Sequence, residues 1–128
     1  MNNFKIHYSL SRFGKIYVVC GENCFPSGDW TDFSCDVIFD WYQTIIENEF
    51  ISDSSFKLCF FDGSFHLLCH KKYDEIIIQA IDERNDTVEF EVIIPYVQLK
   101  DILLKAKKDM DTAIVTNPEK FEYPYREE

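Results

Sequence analysis

The chain has 128 residues, 46% of them hydrophobic and 16% aromatic, with 23 acidic against 13 basic side chains for a formal charge of −10. That much apolar material excludes intrinsic disorder and suffices for one domain with a substantial core. The negative balance repels phosphate backbones and anionic headgroups, which argues against nucleic acid and membrane as direct partners and favours a basic protein.

The opening stretch "MNNFKIHYSL" lacks the basic flank and long apolar run of a secretory signal. No apolar run approaches the roughly 20 residues that cross a bilayer, so a cytoplasmic protein is expected. "NFKIHYSL" alternates Phe4, Ile6, Tyr8 and Leu10 with polar neighbours, and "GKIYVVC" continues as a second strand. Residues 21–35, "GENCFPSGDWTDFSC", read as a loop with room for a short extended piece. "DVIFDWYQTIIENEF" spaces Ile38, Trp41 and Ile45 as a helix that Asp36 would cap, with a strand start at Val37–Phe39 as the alternative.

Asp62-Gly63 between "FKLCFF" and "SFHLLCH" predicts a tight hairpin. "IDERND" at 81–86 predicts a second, between "DEIIIQAI" and "TVEFEVII". Alternation in the last strand sends Val88, Phe90, Val92 and Ile94 to one face and Glu89 and Glu91 to the other. "PYVQLKDILLKAKKDMDTA" closes as a helix with Pro95 in its first turn. Its apolar surface comes from Val97, Ile102, Leu103, Leu104 and Ala106, with Lys105, Lys107 and Lys108 toward its C-terminal end. The expected fold is α+β, in the order ββαββββα: a mainly antiparallel sheet of about six strands with one wet face and two helices packed on one side. No repeat or linker divides the chain, so a single domain spans 1–128, with 117–128 a C-terminal tail that Phe121, Tyr123 and Tyr125 would tie down.

Catalytic and ligand-binding signatures are sparse. The five cysteines, Cys20, Cys24, Cys35, Cys59 and Cys69, are an odd set without repeated spacing, which fits free thiols in a reducing compartment. His66 and His70 share a strand face, Cys69 points away, and Cys59 across the hairpin would have to join the histidines to make a zinc site, so surface histidines over buried thiols are expected instead. No "GxSxG", "GxxxxGK[ST]" or "GxGxxG" occurs, and "DERND" lacks the glycine and final glutamate of a calcium loop. No cofactor or metal is expected. The acids of "IDERND" read first as a solubilising turn that guards against edge pairing.

The distribution of charge adds a second meaning. No Lys or Arg lies between Lys15 and Lys57, a stretch with eight acids, and Arg84 alone offsets seven acids between Tyr73 and Leu99. The bases gather at Lys71/Lys72 and along the last helix. Acids beside Trp30, Phe33, Trp41 and Tyr42 combine steering charge with aromatic anchors, so Asp29, Trp30, Asp32, Asp36, Asp40, Asp82, Glu83 and Asp86 are expected to bind a basic partner.

In size, acidity, α+β plan, aromatic richness and lack of catalytic motifs, the chain resembles the small bacterial immunity proteins of contact-dependent inhibition and other polymorphic toxin systems. The resemblance implies a cytoplasmic, non-enzymatic protein, monomeric or weakly dimeric, that neutralises one cognate toxin. A nuclease, whose groove must be positive for phosphates, is the expected toxin type. The alternatives are a small hydrolase using acids or His66/His70, and a self-associating structural or regulatory module.

Overall fold

The computed structural model describes residues 3–121. Strands β1 (Phe4–Tyr8) and β2 (Gly14–Cys20) pair antiparallel, with Phe4 opposite Cys20 and Tyr8 opposite Ile16. The alternation seen in the sequence sends Phe4, Ile6, Ile16 and Val18 inward and Lys5, His7 and Lys15 outward. Gly14 is needed at the turn, because a Cβ there would lie 2.4 Å from the Ser9 carbonyl oxygen.

Residues 21–35 are not merely a loop. They supply β3 (Asn23–Phe25) and β4 (Thr31–Asp32), which pair with β2 through Val18–Phe25 and Gly14–Asp32. Strands of three and two residues are too short to show a period, so only their pairing with the longer β2 reveals them. After helix α1 (Ser34–Glu47), strands β5 (Asp53–Cys59), β6 (Phe65–Lys72), β7 (Glu75–Asp82) and β8 (Thr87–Pro95) form the expected antiparallel meander in the order β5-β6-β7-β8. The class is α+β, but with eight strands in two four-stranded sheets where about six in one were expected. Periodicity identifies a strand and not its neighbour, so the division into two sheets was invisible in one dimension.

Both sheets and both helices supply one core. The inner face of the second sheet contributes Leu58, Leu67, Cys69, Ile76, Ile78, Ala80 and Ile94. Helix α1 adds Val37, Ile38, Trp41 and Ile45, and helix α2 (Tyr96–Thr116) adds Leu99, Leu103, Ala106 and Met110. The buried indole N–H of Trp41 donates to the Cys59 carbonyl at 2.8 Å, which satisfies its one polar atom.

Several local expectations shift. Helix α1 begins at Ser34 behind Phe33, so Asp36 sits in the first turn and favours the helix through its dipole instead of capping it. A bulge between Ala80 and Ile81 pairs Ile81 with Val88 and Ala80 with Phe90, which flips Val88 onto the face opposite Phe90. Val97 is exposed, and Tyr96, Leu99 and Leu103 carry the packing of α2 in its place. Because α2 runs on to Thr116, its lysines lie mid-helix and no base occupies the last turn. Pro118–Phe121 adds a short 3₁₀ turn whose Phe121 is half-buried, whereas Tyr123 and Tyr125 lie outside the described residues. No helix among the described residues is long and apolar enough to cross a membrane.

Candidate functional site

One end of the molecule is built by the β5–β6 turn, the β7–β8 turn and the segment around β4. Asp32 is its keystone. Fully buried, its carboxylate accepts the N–H groups of Phe33 at 2.7 Å, Phe61 at 3.0 Å and Asp62 at 3.0 Å, and the Trp30 indole N–H at 3.2 Å. Four donors directed at one carboxylate pay for its desolvation and bind residues 29 positions apart in sequence. Trp30 meets the Phe65 ring edge-on at 5.1 Å, and Gly63, at φ +79°, passes so close that a Cβ would lie 2.9 Å from the Trp30 ring. The Glu83 N–H donates to the Ser64 carbonyl at 2.9 Å and ties the two turns together.

The second turn has its own organiser. Asp82 is buried and accepts the Arg84 side chain through Nε at 3.0 Å and Nη2 at 2.9 Å, with the Arg84 N–H at 3.0 Å. The Arg84 guanidinium beside it holds the Asp82 carboxyl below the usual carboxylate range, and lies 4.8 Å from the centre of the Phe65 ring.

The eight residues expected to face a partner therefore divide. Asp29, Asp36, Asp40, Glu83 and Asp86 are exposed. Asp32 and Asp82 are not; both are internal acceptors that shape the turns, and they leave the proposed surface for that reason. Trp30 is half-buried against Phe65 and Gly63, a packing residue rather than a projecting anchor. Glu83 is tethered to the Nδ1 of buried His66 at 2.6 Å. The Cys59 thiol is pushed up chiefly by burial, and the charges of Glu83 and Asp40 push it the same way. Asp62 belongs to the group and was missed, because Asp-Gly reads first as turn chemistry; its place on an exposed tip was the available signal. Among the described residues no base stands within ion-pair distance of Asp29, Asp36, Asp40, Asp62 or Asp86.

The histidines and thiols of the second sheet are spread along it. Cys59 does share a face with His66 as its cross-strand partner, but His70 lies four residues along β6, about 13 Å away at strand rise. His70 instead pairs with Asp53 at 2.7 Å. No trio of His, Cys, Asp or Glu among the described residues converges to hold a metal. Burial pushes the thiols of Cys20, Cys35, Cys59 and Cys69 up, Cys35 to about 11, so they stay protonated at neutral pH. The carboxylates with displaced pKa values, Asp53, Asp82 and Asp109, are pulled down chiefly by hydrogen bonds from His70, Arg84 and Lys105 respectively, opposite to what a general acid needs.

The opposite end has a different character. A cavity of about 330 Å³ is lined by Glu49, Phe50, Lys71, Tyr73, Tyr96 and Lys100. Lys71, expected as a surface base, is buried on the inner sheet face; its Nζ donates to the Ile51 carbonyl at 2.6 Å and lies 4.9 Å from the Tyr96 ring centre. Lys100 is paired with Glu49. Two bases and two acids (with Asp74) leave this end balanced. No family model, curated protein or solved structure matches the chain.

Proposed function

We propose that the chain is a non-enzymatic binding protein that neutralises a basic partner, a nuclease-type toxin domain, in the cytoplasm, as the immunity proteins it resembles do. The observation that carries this reading is the uneven fate of its acids. On α2, Asp109 pairs with Lys105 at 2.8 Å and Asp111 with Lys107 at 2.8 Å, and Glu49 is held by Lys100. Among the described residues Asp29, Asp36, Asp40, Asp62 and Asp86 have no such partner; Asp62 and Asp86 lie in the β5–β6 and β7–β8 turns, Asp29 just before β4, and Asp36 and Asp40 in the first half of α1. Unpaired carboxylates on a scaffold rigidified by Asp32 and Asp82 present negative potential in a fixed shape, which steers a cationic groove onto the surface and speeds encounter.

The test uses wild-type protein and the triple variant Asp29→Lys/Asp40→Lys/Asp62→Lys as baits in a host extract, followed by stopped-flow association with the captured protein. Association at low salt is expected to slow at least ~10-fold in the variant and to converge with wild type at high salt. Equal on-rates at low salt would rule the reading out.

A further inference from the structure

The outer face of the second sheet is the expected polar face, but an apolar patch is set into it. Four cross-strand rows lie there: Asp53-Lys72-Glu75-Pro95, Ser55-His70-Ile77-Ile93, Lys57-Leu68-Gln79-Glu91 and Cys59-His66-Ile81-Val88. Ile93 and Val88 are each 52% exposed and Leu68 36%, while Ile77 and Ile81 are half-buried between them. Val88 joins this face only because of the β8 bulge. Its bases, Lys57 and Lys72, lie on β5 and β6 and its acids Glu75 and Glu91 on β7 and β8, while the β5 acid Asp53, beside Lys72, is held by His70 at 2.7 Å. Among the described residues neither these two bases nor these two β7 and β8 acids make an ion pair.

We infer that this face is the contact of a symmetric homodimer, with a two-fold axis running parallel to the strands. Rotation about such an axis lays β5 over the partner's β8 and β6 over the partner's β7, and leaves each row facing itself. Lys72 then meets Glu75 of the second copy and Lys57 meets its Glu91, each pair occurring twice by symmetry. Ser55 and His70 cover Ile93 and Ile77 of the second copy, and Cys59 and His66 cover its Val88 and Ile81. A two-fold across the strands would reverse the row order, laying Lys57 over Ser55, Lys72 over His66, Glu75 over Ile81 and Glu91 over Ile93 of the second copy, and would pair no opposite charges, so charge selects the first arrangement. Aligned packing of two such faces is the ordinary geometry of a sandwich. Four strands about 4.8 Å apart and seven residues at about 3.3 Å give a patch of about 450 Å² per copy, short of the ~800 Å² typical of stable complexes. The dimer is therefore weak, and it leaves the acidic end free; the inference does not depend on the proposed toxin partner.

Sedimentation velocity of the full chain from about 10 µM to about 1 mM tests it, with half-association expected on the order of 100 µM. The acidic-face variant Lys57→Glu/Lys72→Glu and the basic-face variant Glu75→Lys/Glu91→Lys should each remain monomeric across that range. Mixed in equal amounts they should form a heterodimer of about wild-type affinity, because all four opposite-charge pairs are restored. Adding Ile93→Ser and Val88→Ser to both variants should weaken that heterodimer at least ~10-fold, which a bare attraction of opposite charges would not do. All substituted side chains are at the surface, and far-UV circular dichroism checks that each variant folds. A wild type that stays monomeric throughout overturns the inference, including the case in which these variants lose a cationic protein partner instead. So does a dimer that survives either charge variant, or a mixture that fails to associate.

Discussion

The two ends of the molecule treat charge in opposite ways. At the cavity end and along α2, acids find bases of the same chain: Glu49 with Lys100, Asp109 with Lys105, Asp111 with Lys107. At the turn end Asp32 is drawn inside as a hydrogen-bond acceptor, Asp82 is held by Arg84 and Glu83 by His66, while Asp29, Asp62 and Asp86 meet no base among the described residues. A count of acids per segment treats these ends alike. What separates them is whether a carboxylate spends its charge on its own backbone, on its own lysines or on the solvent, and only the third kind is available to a partner.

The sharpest way to break that contrast is to remove the keystone. Asp32→Ala strips the acceptor from four donors and leaves several of them buried without partners. It should cost about 3–4 kcal/mol of unfolding free energy, read from the urea midpoint, and release Trp30 from Phe65 with a shift in its fluorescence. Gly63→Ala attacks the same end by shape. It forces a side chain onto φ +79° against the Trp30 ring and should cost about 1–2 kcal/mol in the same measurement.

Acid titration separates the paired carboxylates from the rest. Asp53, Asp82 and Asp109 have folded pKa values below their unfolded values near 3.9, so their stabilisation is complete above about pH 4 and is lost as pH falls through the folded values. Urea unfolding repeated between pH 7 and about pH 2 should show that loss, and Asp82→Asn should flatten it without changing its sign. At the alkaline side, Tyr8 donates to Asp109 at 2.7 Å and its pKa is raised, chiefly by burial. Its contribution is therefore present below about pH 10 and lost as pH rises through the folded value. The smallest effect is expected from Asp29→Lys/Asp40→Lys/Asp62→Lys, each change altering stability by less than about 0.5 kcal/mol while association with the cationic partner slows. A large loss of stability there would mean that these acids, too, serve the fold.

Much of the fold was legible because strand and helix periods are local. Phe4, Ile6, Ile38, Trp41 and Ile45 reach the core as their spacing predicts, and Asp62-Gly63 lies in the hairpin it was read to close, though within a longer loop between Cys59 and Phe65 and with only Gly63 at positive φ. Val88 was misplaced because a bulge adds one residue to β8 and reverses every side chain beyond it, an event set by pairing with β7 and not by the pattern of β8. The candidate site was legible as a region and not residue by residue. Asp29, Asp32 and Asp36 look equivalent in sequence, yet only Asp32 faces the backbone N–H groups of a turn 29 residues away. Lys71 and Lys72 are adjacent, and the pleat sends one inside against Tyr96 and the other out to the open sheet face.

The amino-acid sequence by itself determined the α+β class, the meander from β5 to β8, the helical stripes and the excess of negative charge, because each follows from composition or from contacts a few residues apart. Tertiary structure alone decided that there are two sheets, which acids are consumed and which are displayed, and that an apolar patch on the outer sheet face stays open. Those outcomes depend on which distant backbone donors, lysines and strands come within about 3–5 Å of a given side chain, and that proximity exists only once the chain has folded.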